Sequence, residues 1–122
     1  MPHLNLDYSA NLTHLNVDVL LLRLNQALVA SGQFADELDI KSRAQAVTHF
    51  RVGTSPLPRG FAHVRLAIMA GRHPLVKKQL TSALLDVLRD SIGPSAEVDV
   101  QFSVELHELD PQTYVKLHLP VH

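Results

Sequence analysis

The strongest constraint on this chain is a pattern written twice. His3-Leu4-Asn5-Leu6-Asp7-Tyr8 alternates polar and apolar residues, the signature of a strand with one buried face. A helix is expected over roughly residues 14 to 31, where Leu20, Leu21, Leu24, Ala27 and Leu28 fall on one side and Ser31-Gly32 closes the end. A second strand follows at about 40 to 52, with Ala44, Ala46, Phe50 and Val52 sharing a side. Gly53 to Gly60, with two prolines, reads as a turn. The order then repeats. A strand at about 61 to 70 carries Val64, Leu66, Ile68 and Ala70 on one face. Pro74 suits the first position of a second helix, whose apolar side is Leu80, Ala83, Leu84, Val87 and Leu88, and Gly93-Pro94 stops it. Glu97 to Leu106 is the cleanest strand, with Val98, Val100, Phe102, Val104 and Leu106 alternating against polar residues. The copies align at an offset of about sixty, His3 on His63 and Leu6 on Leu66, with Gly32 near Gly93.

Each copy should be a right-handed β-α-β unit with parallel strands. Each helix has only one apolar side, so the economical packing is an α+β fold: one four-stranded mixed sheet with both helices on one face. The chain of 122 residues is then one domain, built from halves at about 1–53 and 60–109 plus a short tail from Asp110-Pro111. The other sheet face is expected to keep uncovered apolar residues, which predicts a homo-oligomer.

Composition removes several functional classes. Eleven basic residues against 12 acidic ones give a net charge of −1, and there is no Trp and only two Tyr, so a nucleic-acid surface is not expected. The absence of cysteine excludes disulfides, iron–sulfur clusters and thiolate zinc sites and fits a reducing compartment. The first ten residues show no targeting pattern, and the densest apolar run, Val17 to Leu24, is broken by Asp18 and Arg23, so a cytoplasmic protein with no membrane partner is expected. Eight histidines are dispersed without ligand spacing, so no metal site is expected.

A few residues remain that can carry chemistry. Pro2 follows the initiator methionine. Removal of Met1 would leave a secondary amine at the head of the first strand. An α-amino group titrates near ~8 in water, and burial or cationic neighbours lower that value toward a usable proton shuttle. From Met1-Pro2 alone, an ordinary second residue is the simpler reading of Pro2. Arg72, between the third strand and the second helix, lies where a helix N-terminus attracts anions and so suggests a carboxylate pocket; a solvated turn arginine is the simpler alternative. Lys41 and Arg43 open the second strand on one face, with Ser42 on the other. If the first two strands are parallel and the third is antiparallel beside the first, Pro2, Lys41 and Arg72 meet at one sheet end. One base among cations suits an enol with carboxylates.

These residues also sit in a set of motifs: Met1-Pro2-His3, Gly32-x-Phe34, Ile40-x-Ser42-Arg43, Phe61-x-His63-Val64, Ala70-Gly71-Arg72 and Ser103-x-Glu105-Leu106-x-Glu108-Leu109-x-Pro111. In this combination and order the chain resembles the 5-carboxymethyl-2-hydroxymuconate isomerase family of the tautomerase superfamily. The resemblance implies a duplicated β-α-β fold, a homotrimer, no cofactor, and Pro2 as general base on a dienol dicarboxylate or tricarboxylate. It carries Arg72 over as a substrate-binding residue. The family typically has arginine where this chain has Lys41, which keeps the charge but loses the bidentate fork, a role that Arg43 could share. Two other readings stay open. A protonated Pro2 would suit a hydratase, dehalogenase or decarboxylase, and a non-catalytic trimeric binding protein could keep the same scaffold.

Overall fold

The computed structural model describes all residues from Met1 to His122. The order is β1 (His3–Ser9), α1 (Val17–Ala30), a 3-10 turn (Glu37–Asp39), β2 (Lys41–Val47), β3 (Arg59–Met69), α2 (Pro74–Ile92) and β4 (Asp99–Leu109). The strands form one sheet in the order β2-β1-β3-β4. β1 is parallel to β2, β3 is parallel to β4, and β1 and β3 run antiparallel at the centre. Each half is thus a β-α-β unit, as the repeated pattern requires.

The two copies build one core. Leu20, Leu24 and Leu28 of α1 and Leu80, Leu84 and Leu88 of α2 are buried at the same four-residue spacing. They close over Leu4 and Leu6 of β1 and over Ala62, Val64, Leu66 and Ile68 of β3. Paired residues share a face, so Leu4 beside Leu66 and Leu6 beside Val64 line the helix side of both central strands. Cutting one such leucine back to alanine would cost about 2–5 kcal/mol.

The boundaries shift for local reasons. α1 begins at Val17 because Asn16 is its N-cap: the Asn16 side-chain oxygen accepts from the Val19 amide at 3.2 Å. β2 ends at Val47, short of Phe50 and Val52. Its sole neighbour, β1, ends at Ser9 opposite Val47, and an edge strand without a partner has no ladder to continue. Phe50 instead packs edge-on against Phe61, with ring centres 6.0 Å apart. β4 runs later than expected because it follows β3 in register to Met69–Leu109, while Ser95 turns the chain before it by accepting from the amides of Glu97 and Val98.

The open face of the sheet departs from expectation more deeply. It is mainly polar: the register places His3, Asn5 and Asp7 beside Arg43, His63, Arg65, Ser103, Glu105 and His107. Strict alternation has sent most of the apolar residues to the helix side. The most exposed apolar residues lie instead in the tail, at Val115, Leu117, Leu119 and Val121, each at least 80% exposed. No helix is long and apolar enough to cross a membrane.

Candidate active site at the N-terminus

Parallel pairing of β1 and β2 decides where the N-terminus lies. His3 pairs with Lys41, and the Lys41 amide donates to the Pro2 carbonyl at 3.2 Å. The start of the chain is therefore fixed against the start of β2. The Pro2 ring is fully buried. Met1, just before the strand, packs partly buried against the same core as Leu4 and Leu6, whereas His3 and Lys41 face the open side of the sheet. The chain carries Met1, whose amine donates to the backbone carbonyl of Asp39 at 3.0 Å.

Charge around this amine is strongly one-sided. The Nζ of Lys41 is enclosed and donates to no protein acceptor. Burial, then the adjacent Lys41 ammonium, then Lys116 lower the amine from its ordinary 8.0 to about 5, with Asp39 pulling weakly the other way. An amine in this setting is neutral at physiological pH and can accept a proton. His3 is also held below its ordinary range, first by burial and then by Lys41, the amine, Arg43 and Lys116. Asp39 is the nearby acid, and it is already engaged: its carboxylate accepts from Lys116 of the tail, which holds Asp39 below its ordinary carboxyl value and raises Lys116.

Arg72 reaches the same end of the sheet from β3. After Met69 the chain turns at Gly71, whose φ of 120° is a conformation that side chains disfavour. Gly32, at φ 73°, turns the chain out of α1 and brings Gln33 and Phe34 across to meet it. The guanidinium stacks over Phe34 at 4.9 Å and donates to the Gln33 carbonyl at 2.9 Å and the Met69 carbonyl at 3.5 Å. His73 caps α2 itself, its Nδ1 accepting from the Leu75 amide at 3.0 Å, and the Arg72 guanidinium lies against the end of α1.

Of the residues singled out in the sequence, Pro2 and Lys41 are in direct register and Arg72 stands at the same end. Arg43 turns away: it is exposed on the open face and contacts Nδ1 of His3 at 3.2 Å. Asp39, Lys116 and Tyr114, whose hydroxyl meets Nε2 of His3 at 2.9 Å, were not found by sequence reading. No local pattern marks them, because Lys116 lies 77 positions from Asp39 in an irregular tail. A groove of about 260 Å³ at the far end of the sheet, lined by Leu12, Leu15, Ile92 and Val98, contains none of these residues.

Comparison with known proteins places the fold and the family. The family model described as 5-carboxymethyl-2-hydroxymuconate isomerase matches residues 2–122. Comparison with curated proteins gives no match. A 5-carboxymethyl-2-hydroxymuconate isomerase from Deinococcus radiodurans R1 superposes with a TM-score of 0.88 at 32% identity, over 97% of this chain and 90% of the other. A 5-carboxymethyl-2-hydroxymuconate delta-isomerase superposes at 0.77 with 18% identity, over 97% and 88%. A fused 4-OT symmetric trimer does so at 0.70 with 15% identity, over 92% and 91%. The last two bear on the fold alone. The family match over nearly the whole length and the 32% identical structure together make this chain a member of the 5-carboxymethyl-2-hydroxymuconate isomerase family.

Proposed function

We propose that the chain, once Met1 is removed, is a cofactor-independent isomerase that converts a 2-hydroxymuconate-type dienol carboxylic acid into its conjugated 2-oxo form. The observation that supports this reading is geometric: strand pairing holds the chain start, whose Met1 amine meets the Asp39 carbonyl at 3.0 Å, beside the enclosed and unpaired ammonium of Lys41, surroundings that lower that Met1 amine to about 5. Removal of Met1 transfers the free amine to the Pro2 nitrogen, one residue along the same strand. That nitrogen takes the proton of the enol hydroxyl. The oxygen's electron pair becomes the carbonyl bond, the diene shifts, and the terminal diene carbon receives the proton from Pro2. The amine is regenerated and atoms balance without a co-reactant.

Lys41 and Arg72 are assigned to the carboxylates, and their positive charge holds the dienolate while it exists. Lys41 offers a point charge where the family's arginine offers a fork, so it favours a carboxylate approached end-on. Arg43 is assigned no direct contact, since it is turned to His3 on the open face. The working form is proposed to be a homotrimer. The fold's likeness to a symmetric trimer and the exposed apolar tail support that assembly. A role in cytoplasmic breakdown of aromatic acids follows from the same substrate class.

The test is the intact mass of the purified protein followed by ketonisation of 2-hydroxymuconate on the same sample. A mass lacking one methionine together with turnover supports the reading. A retained Met1 without turnover removes the base and brings forward the non-catalytic binding protein.

A further inference from the structure

The tail contributes to the N-terminal site in a way that the family resemblance does not assign. Asp39 stands two residues before Lys41, and its backbone carbonyl accepts from the N-terminal amine at 3.0 Å. Left alone, this carboxylate would be the natural partner of Lys41 or of the amine, since its charge acts on both. It pairs with neither. Lys116 occupies its Oδ1 at 2.5 Å, and Lys41 is left enclosed without an acceptor. The tail reaches this point because Asp110 caps a turn that carries Tyr114 to His3, two residues short of Lys116.

We propose that Lys116 is a positioning residue for the N-terminal site: by occupying the Asp39 carboxylate it keeps Lys41 unpaired for the carboxylate of a substrate and keeps the acid away from the base. The proposal rests on the assignment of Pro2 as base. The charged groups acting on the amine are Asp39 from the 3-10 turn, Lys41 from β2 and Lys116 from the tail; His3 of β1 lies beside them, with Arg43 and Tyr114 against its ring. Asp39 is the one acid acting on the amine, while Asp36 acts on Lys116, so the state of the Asp39 carboxylate sets the balance at the base. An unpaired lysine costs stability that a native pair would recover, and a ligand carboxylate that completes the pair gains what the free protein lacks.

The experiment compares the Met1-free wild type with K116Q, K116R and the double variant D39N/K116Q. Two readouts are taken: kcat and KM for 2-hydroxymuconate across pH, and a titration of the Pro2 nitrogen by 15N NMR. K116Q should raise KM about fivefold, the size expected when a lone ion pair is redirected. It should also move the Pro2 titration to higher pH while kcat at the alkaline plateau is held. K116R should resemble wild type. D39N/K116Q should return both readouts to wild-type values, because it removes the competing acid although it also lacks the tether. Failure of the double variant to restore them, or an unmoved titration in K116Q, overturns the proposal. The titration needs no turnover. If wild type is inactive but the titration shifts and recovers as described, the isomerase reading falls and the positioning role of Lys116 stands.

Discussion

The two halves share one scaffold but treat charge in opposite ways. In the first half, His3 pairs across the sheet with Lys41, and its ring meets Arg43, two residues further along that strand. In the second, His63 pairs with Ser103, and its ring meets Glu105, again two residues along. The geometry is the same and the chemistry is reversed. His63 has a hydroxyl at 2.6 Å on Nδ1 and a carboxylate at 2.9 Å on Nε2, and that carboxylate also holds Arg65 and His107. Every strong group there has a partner. The first half gathers Lys41, Arg43, His3 and the amine, and its nearby acid is taken by the tail. A duplicated fold can thus keep one copy electrostatically satisfied and leave the other frustrated; the proposed base and Lys41 lie in the frustrated copy, and Arg72 reaches them from the other.

The largest effect expected to break the comparison is at Pro2. The Pro2→Ala chain, with Met1 removed, should lose about a hundredfold or more in kcat/KM on 2-hydroxymuconate. A steady-state assay on mass-verified protein checks this, and unchanged turnover would detach the chemistry from the first half. Next comes a matched pair across the halves. Lys41→Gln should raise KM about tenfold, by loss of a charge-assisted contact, whereas Ser103→Ala at the equivalent register position should leave KM alone. Equal effects would mean that the halves are not functionally distinct.

Acid dependence sharpens the contrast further. Burial and the cations lower the Met1 amine, and the same surroundings should act on the Pro2 nitrogen freed by Met1 removal, leaving that base neutral above a lowered pKa and protonated below it. The rate should therefore fall as pH drops through a value well below the ordinary 8.0, and Glu105→Gln should leave that limb in place. A limb near 8 would mean that the cations do not reach the Pro2 nitrogen. The smallest effect belongs to the second half. Glu105 is held below its ordinary carboxyl value of 4.5, first by His63 and then by His107. Its stabilisation is present above that value and lost as pH falls through the lower folded one. The Glu105→Gln variant should melt slightly lower than wild type near neutral pH, and the gap should close in acid. A gap independent of pH would assign the loss to packing.

Much of the fold was legible from residues alone. Alternation in His3 to Tyr8 and the leucine ladders of both helices are local signals, and their repetition at a fixed offset pointed to two like units on one sheet. Element ends were less legible. The end of β2 depends on where β1 stops, and the start of α1 on a single Asn16 cap. The open face is polar and not apolar as expected, because alternation along the strands delivers most of their apolar residues to the helix side.

The sequence by itself determined the helices and strands, their duplication, and the presence of a potential base at position 2 with cations at 41, 43 and 72. Periodicity and residue type suffice for these, since each is a property of neighbours along the chain. Only the tertiary structure decided which cations come close to the amine. Pairing of β1 with β2 put Lys41 beside the amine and sent Arg43 to His3, and Phe34 drew Arg72 to the end of α1. The tail brought Lys116 to Asp39. Charge acts through space over a few ångströms, and which charges come that close is set by strand register and by the path of the tail, neither of which is local in sequence.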